Sequence, residues 1–291
     1  MFTLAKAFAK ILVWLAPLSG KALLFLIGMW LCWRTLHLRS FADHFQVLPK
    51  ASRVRQPDAL VVLIHGLSST HAQTSALADR VLDVHGFRVT QMNYPSRHGV
   101  SLHDSAVRIV DMATMLVRAR VGHPKVRLPH GQTGFEKVAF VGISLGGLLA
   151  RHAAAIWMER YPTATPLIIT IASPNAGMPL VKHVPRTLLQ AFRGLLACET
   201  HPDVEHPVPD CDRVSIIAKS AFSGPYSIVH GPDDGLVPLS SQVQPGGGHP
   251  TYTVPTHHAG VSVHSDTLHH VTHELGQWYK RHTEARQYNN A

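Results

Sequence analysis

The sequence predicts an α/β fold in which a mainly parallel central sheet is flanked by helices. From Leu60 onward, short apolar runs alternate with stretches of helical periodicity, as expected when helices connect parallel strands. The runs at Leu60–Ile64 and Leu167–Ile171 are continuously apolar, which is typical of strands buried on both faces. A chain of 291 residues with 45% hydrophobic content is long enough for one large domain with a substantial core.

The elements of this domain, which we place at residues 50–291, follow one another in a regular order. Gly86 provides a stop for the first helix, and Pro95 closes the second strand. A loop containing Gly and Pro then separates the second helix from the third strand. Strands are predicted at 60–64, 87–94, 137–141, 167–171, 214–218 and 252–254, and helices at 74–84, 101–120, 148–161 and 267–280.

The stretch 178–212 interrupts this alternation. It carries one amphipathic segment and then a run rich in Pro, His and Asp. We interpret it as a lid, an insertion that covers the functional site of the domain. Two of the three cysteines, Cys198 and Cys211, lie in it, whereas Cys32 lies far away. No pair has the C-x-x-C spacing of a metal or redox site. The cysteines are therefore free thiols, unless an oxidising compartment allows Cys198 and Cys211 to form a bridge.

Residues 1–40 form an apolar N-terminal segment that differs from the rest of the chain. The 23 residues Ile11–Trp33 are mostly apolar but include Lys21, and basic residues flank them on both sides. The sequence that follows lacks the small-residue pattern of a signal-peptide cleavage site. We expect an uncleaved membrane anchor or a pair of helices lying in the interface, and hence a membrane-associated protein of undetermined orientation. A signal peptide and a buried helix pair are the alternatives.

The net charge of +9, from 27 Lys and Arg against 18 Asp and Glu, is compatible with nucleic acid, an anionic membrane surface or an acidic substrate. The chain contains no run of five basic residues and no zinc-finger or RNA-binding motif, which argues against a nucleic-acid partner. The positive charge is therefore expected to favour binding to an anionic membrane surface.

A G-x-S-x-G motif occupies residues 142–146. The motif is short enough to occur by chance, but here a predicted strand precedes it and a predicted helix follows. In that context a sharp turn projects the serine side chain from the top of the sheet, and the flanking glycines remove side chains that would clash in the turn. Ser144 is the predicted nucleophile.

A serine hydroxyl needs a base and an orienting carboxylate, and in this architecture they follow in the order Ser, Asp or Glu, then His. Asp234 lies in the loop His230–Gly235 and is the predicted acid, with Asp233 as the alternate. Six of the 22 histidines fall between His257 and His273. His258 is preferred as the base because it lies between the last strand and the last helix, with His264 and then His257 as alternates.

Attack by a serine on a carbonyl group produces an oxyanion, which needs hydrogen-bond donors. Backbone N–H groups of Leu145, after the nucleophile, and of Leu67, after the first strand, are the expected oxyanion donors. His269 and His273 stand four residues apart, a spacing that suits a metal. No carboxylate-rich cluster accompanies them, so we predict no metal site.

With these motifs the chain resembles the bacterial lipase and esterase branch of the α/β-hydrolase superfamily, over about residues 60–279. Ile143 departs from many lipases, which have His before the nucleophile. The similar segments are His65–Leu67, Asn93–Arg97, Phe140–Gly147, Ser173–Gly177, Gly231–Gly235 and Thr256–His258.

The resemblance implies hydrolysis of acyl esters through an acyl-enzyme and without a metal or organic cofactor. The apolar segment and the predicted lid indicate a substrate reached at or near a membrane, and hence lipid-like esters. The same triad also serves acyltransferases, thioesterases and amidases, and the fold also occurs in ligand-binding proteins without catalysis.

Overall fold

The computed structural model describes residues 45–50, 59–67, 69–85, 87–96, 101–120, 137–162, 166–177, 212–218, 234, 237, 239–243 and 248–289. The predicted N-terminal segment 1–40, residues 178–211 of the predicted lid, all three cysteines and Asp233 lie outside these ranges. Asp212, the last residue of the predicted lid, is instead the first residue of a strand.

Seven strands and five α-helices, numbered here in chain order, form the described part of the chain. A single 3₁₀ turn, His71–Thr74, precedes the first of these helices. The strands are β1 Gln46–Lys50, β2 Ala59–Ile64, β3 Arg88–Asn93, β4 Lys137–Ile143, β5 Leu167–Ile171, β6 Asp212–Ala218 and β7 Thr251–Val254; the helices are α1 Ser75–His85, α2 Leu102–Arg120, α3 Leu145–Arg160, α4 Leu239–Gln242 and α5 Ser265–Asn289.

The strands form one sheet in the order β1-β3-β2-β4-β5-β6-β7. Strand β1 pairs antiparallel with β3, and all the other pairs are parallel. The predicted parallel sheet is confirmed. Strand β1 was not predicted, and it begins four residues before the start of the predicted domain.

Side chains from the two faces of the sheet enter two separate cores. On β2, Leu60, Val62 and Ile64 face the core that helices α2 and α3 cover, where Phe140 and Trp157 are fully buried. Val61 and Leu63 face the opposite core, covered by α1 and α5. Alternate residues of a strand point to opposite faces, so a strand covered on both sides must be apolar at every position, as β2 is.

Helix α5 closes the second core with its apolar face. Val271, Leu275 and Trp278, at spacings of four and three residues, are fully buried against the sheet. Burial of each such side chain stabilises the fold by about 1.5–3 kcal/mol. The helix runs to Asn289, well beyond the predicted end at residue 280.

No helix in the described part of the chain combines the length and apolar character needed to cross a bilayer.

The parallel arrangement places the carboxyl ends of β2, β4, β5, β6 and β7 along one edge of the sheet. In open α/β sheets, ligands bind outside these carboxyl ends. The residues that follow the strands therefore define the candidate site.

Candidate active site

Ser144 occupies the turn between β4 and α3 in a strained backbone conformation, with φ 54° and ψ −124°. Its N–H donates to the carbonyl of Ile171 at 2.8 Å, and its carbonyl accepts from the N–H of Gly147 at 2.9 Å. A positive φ is unfavourable for a residue with a side chain. Packing around the turn must therefore hold Ser144 in place, as in the sharp strand-to-helix turn that its motif predicts.

The glycines of this motif lie where no side chain would fit. A Cβ on Gly142 would lie 2.0 Å from the carbonyl oxygen of Gly146, and one on Gly146 would lie 2.4 Å from the carbonyl oxygens of Ile64 and His65. A Cβ on Gly147 would lie 1.9 Å from the Ser173 hydroxyl oxygen. The nucleophile turn thus packs directly against β2 and against the turn after β5.

Asp234 and His258 form a buried pair at the same edge of the sheet. Asp234 Oδ2 lies 2.5 Å from Nδ1 of His258, and the His258 N–H donates to the Asp234 carbonyl at 2.9 Å. The two residues are 2% and 3% exposed. The second carboxylate oxygen, Oδ1, accepts from the N–H of Val237 at 2.7 Å, so both oxygens have donors. The structure therefore brings together the predicted acid and the predicted base.

The alternate histidines have other partners. His264 Nδ1 accepts from the N–H of Asp266 at 3.3 Å and lies 3.9 Å from that residue's carboxylate, so His264 acts at the start of α5. His257 is exposed, and its Nδ1 accepts from the Gly260 N–H at 3.0 Å. Neither of these contacts involves Asp234.

The side chain of Gln242 fixes the loop that carries Asp234. Its amide donates to the carbonyls of Val237 at 3.0 Å and Ala218 at 3.2 Å, and its Oε1 accepts from the Ala218 N–H at 2.9 Å. The backbone carbonyl of Gln242 accepts from Nδ2 of Asn175 at 2.6 Å. These bonds tie the acid loop to the end of β6 and to the turn after β5.

His65, the first residue of the predicted oxyanion loop, is buried against Tyr94. The two rings stack with their centroids 4.4 Å apart, and Nε2 of His65 accepts from the Tyr94 N–H at 3.3 Å. Nδ1 lies 2.7 Å from the Gly66 carbonyl and donates to it. Because burial disfavours the charged ring, it lowers the pKa of His65 from 6.5 to about 4, and the ring is neutral at pH 7.

Gly66 brings the oxyanion loop against the nucleophile. A Cβ on Gly66 would lie 3.2 Å from the Ser144 Cβ and 3.3 Å from Oε1 of Gln73. The Gly66 N–H donates to that same Oε1 at 2.7 Å. Leu67, the next residue, is partly buried and packs against the core that helices α2 and α3 cover.

Sequence reasoning did not identify Gln73, Tyr94 or Gln242. Their side chains bind backbone atoms near the predicted site residues: Gln73 binds Gly66, Tyr94 binds His65, and Gln242 binds Ala218 and Val237. Such bonds follow no motif. The segment Asn93–Arg97, which resembles some bacterial lipase-like proteins, contains Tyr94 and is the nearest sequence signal for it. Among the described residues, no group of three or more His, Cys, Asp or Glu side chains is placed to hold a metal ion.

Comparison with solved structures shows the same fold in bacterial and metagenomic lipolytic proteins. Bacillus licheniformis lipase BlEst2 in its mature form is 14% identical, with a TM-score of 0.59 over 81% of this chain and 99% of that one. The metagenomic carboxyl esterase MGS0156 is 16% identical, with a TM-score of 0.53 over 79% of this chain and 77% of that one. The chain has the α/β-hydrolase fold.

A sequence model of a protein family matches about half of the chain. Residues 54–193 match the family described as "Putative serine esterase (DUF676)", and the matched range includes Ser144 and the oxyanion loop. A search of the curated proteins gives no match. The family match supports serine hydrolase activity.

Proposed function

We propose that this protein hydrolyses carboxylic esters with Ser144 as nucleophile, His258 as general base and Asp234 as the residue that orients His258. The observation that carries the proposal is the buried pair of Asp234 and His258, 2.5 Å apart, at the same sheet edge as the strained turn of Ser144. Because Nδ1 of His258 is engaged with the carboxylate, Nε2 is the nitrogen that takes the serine proton.

The reaction proceeds through two tetrahedral intermediates. Ser144 Oγ attacks the ester carbonyl carbon as its proton passes to His258, and the carbonyl oxygen becomes an oxyanion. The C–O bond to the alcohol breaks, the alcohol leaves with the proton from His258, and the acyl group remains on Ser144. Water then attacks the acyl-enzyme with the same proton transfers and releases the carboxylic acid.

The oxyanion is held by the N–H groups of Leu145 and Leu67. Leu145 is the first residue of α3, and the first N–H groups of a helix have no partner within it and carry its positive dipole end. The Gly66 N–H is bonded to Gln73, so the donor of the other loop is Leu67. Loss of one such donor typically lowers kcat by about 10²–10³-fold.

Two further observations indicate the class of substrate. The structural neighbours are described as a lipase and a carboxyl esterase, which favours carboxylic esters over the thioesters and amides that the same triad can cleave. The apolar segment 1–40 and the net charge of +9 favour membrane association and a lipid-like ester. Flotation of the full chain with anionic and with neutral vesicles tests this part: binding to neither contradicts it.

Hydrolysis of p-nitrophenyl esters of increasing acyl length, by the wild type and by Ser144→Ala, tests the proposal. Ser265→Ala, at an exposed residue that begins α5, is the matched control. We expect hydrolysis that Ser144→Ala abolishes and Ser265→Ala leaves unchanged, and the acyl-length profile separates an esterase from a lipase. A folded wild type without hydrolysis would favour the non-catalytic ligand-binding alternative, and turnover only of matched thioesters or amides would correct the substrate class.

A further inference from the structure

We propose that Gln73 and Tyr94 are positioning residues for catalysis: together they hold the oxyanion loop so that the Leu67 N–H keeps a fixed direction. The inference rests on the proposed function, because it takes Leu67 as an oxyanion donor. The two side chains lie outside the triad and bind the two ends of one peptide group.

The first peptide group of the loop, between His65 and Gly66, is held at both ends. The Tyr94 hydroxyl donates to the His65 carbonyl at 3.0 Å, and the Gly66 N–H donates to Oε1 of Gln73 at 2.7 Å. A peptide group is planar and changes direction only by rotation about its flanking single bonds. With a side chain bound to each end, this plane has one orientation.

The second peptide group, between Gly66 and Leu67, is held through the His65 ring. Its carbonyl accepts from Nδ1 of His65, and Tyr94 fixes the His65 ring through stacking and through the bond to Nε2. In a trans peptide the N–H points away from the carbonyl. Fixing the Gly66 carbonyl therefore fixes the direction of the Leu67 N–H.

Gln73 is itself held in place by strand β3. It lies in the 3₁₀ turn His71–Thr74, where Gln91 donates to the His71 carbonyl at 2.7 Å and Asn93 Oδ1 accepts from the His71 N–H at 2.7 Å. Gln91 also donates to the Thr74 hydroxyl at 2.8 Å. Both β3 side chains are buried, so Gln73 presents its Oε1 from a rigid support.

The position of Gln73 separates a positioning role from a purely structural one. Its Oε1 and the Ser144 Cβ both lie within 3.3 Å of the point where a Gly66 Cβ would stand, so the bond adjoins the nucleophile. The residue is only partly buried, so its replacement removes little core packing. A positioning role therefore predicts a change in transition-state binding without a comparable loss of stability.

Gln73→Met tests the inference, because methionine keeps the length of the side chain and removes the strong acceptor. Tyr94→Phe removes only the hydroxyl, and Gln277→Met, on the exposed face of α5, is the matched control. The measurements are kcat and KM with p-nitrophenyl butyrate, and inhibition by a trifluoromethyl ketone, which forms an oxyanion on a reactive serine.

We expect each of the two variants to lower kcat about 10-fold, with KM within about twofold and the ketone weakened by the same factor as kcat/KM. The double variant should lose less than the product of the single losses, because both side chains hold one peptide group. Gln277→Met should match the wild type. Unchanged kcat and ketone inhibition in Gln73→Met would overturn the inference, whatever happens to its stability.

Amide hydrogen exchange of Gly66 separates failure of this inference from failure of the proposed function. The Gly66 amide should be protected in the wild type and exchange at least about tenfold faster in Gln73→Met. An inactive wild type that shows this difference would refute the proposed function, and with it the catalytic role of the two residues, while the bond from the Gly66 N–H to Gln73 would stand. Equal exchange in the two proteins would refute the bond on which the inference rests.

Discussion

Asp234 and His258 are joined twice: the carboxylate Oδ2 lies 2.5 Å from the imidazole Nδ1, and the backbone carbonyl of Asp234 accepts from the backbone N–H of His258 at 2.9 Å. The first bond orients the ring, and the second fixes one loop backbone against the other. Both side chains are almost fully buried, so solvent screens their interaction little.

Asp234→Asn should lower kcat about 10³–10⁴-fold while the protein stays folded. The amide keeps an acceptor for the Val237 N–H, but its NH₂ group then faces His258 and favours the wrong tautomer of the ring. Asp266→Asn, whose carboxylate lies 3.9 Å from His264, is the control and should stay within about twofold of the wild type. Steady-state kinetics checks both, and substantial activity in Asp234→Asn would argue against Asp234 as the orienting residue.

His258→Ala should reduce turnover by about three orders of magnitude or more, because it removes the ring that Asp234 orients. His264→Ala should be mild, since that ring accepts from the Asp266 N–H at the start of α5. Measurement of kcat for both variants decides between the two histidines. The opposite order of effects would transfer the role of the base to His264.

Gly147→Ala should destabilise the protein by about 1–3 kcal/mol, since overpacking forces neighbours to shift. The new Cβ would lie 1.9 Å from Oγ and 2.6 Å from Cβ of Ser173. Ser173→Gly removes both atoms, so the double variant should recover much of the lost stability. Denaturant unfolding of the two single variants and the double variant checks this, and a double variant no more stable than Gly147→Ala would disprove the contact.

The neutral His65 ring should make stability depend on pH below neutrality. Burial lowers its pKa from 6.5 to about 4, so between these values the unfolded chain binds a proton that the native protein does not. Stability therefore falls as the pH drops from 6.5 towards 4, by on the order of 3 kcal/mol for this group. His85 and His270, whose pKa values burial also lowers, add losses of the same sign.

Comparison of the wild type with His65→Gln isolates that contribution, since His85 and His270 are present in both proteins. The stability difference between them, measured by urea unfolding, should be largest at pH 7 and shrink towards pH 4. A difference that stays constant with pH would mean that His65 titrates near its ordinary pKa in the folded protein.

Most of the central sheet was predictable because strands buried on both faces are apolar at every position. Strand β5 matches its predicted limits, and β4 extends two residues beyond them. Strand β1 was missed because Gln46–Lys50 is a partly exposed edge strand containing Pro and Lys, which no apolar run identifies. Helix α3 begins three residues earlier than predicted, since Gly146 and Gly147 weaken the helical pattern that tertiary packing restores.

Of the candidate site, the residues with a motif or a fixed chain order were predictable, and those that support them were not. The G-x-S-x-G motif identifies Ser144, and the order of elements leads to Asp234 and His258. Gln73 and Gln242 act through bonds to backbone groups 7 and 24 residues away in the chain. Their contacts depend on how the loops approach one another in three dimensions. A local sequence pattern does not predict that approach.

Labelling with a fluorophosphonate probe, followed by intact-mass and peptide analysis, tests most directly whether Ser144 is an activated nucleophile. We expect one adduct on Ser144 that forms in the wild type, is absent in Ser144→Ala, and forms far more slowly in His258→Ala. A folded wild type that takes no label, or a label that persists in Ser144→Ala, would contradict the account.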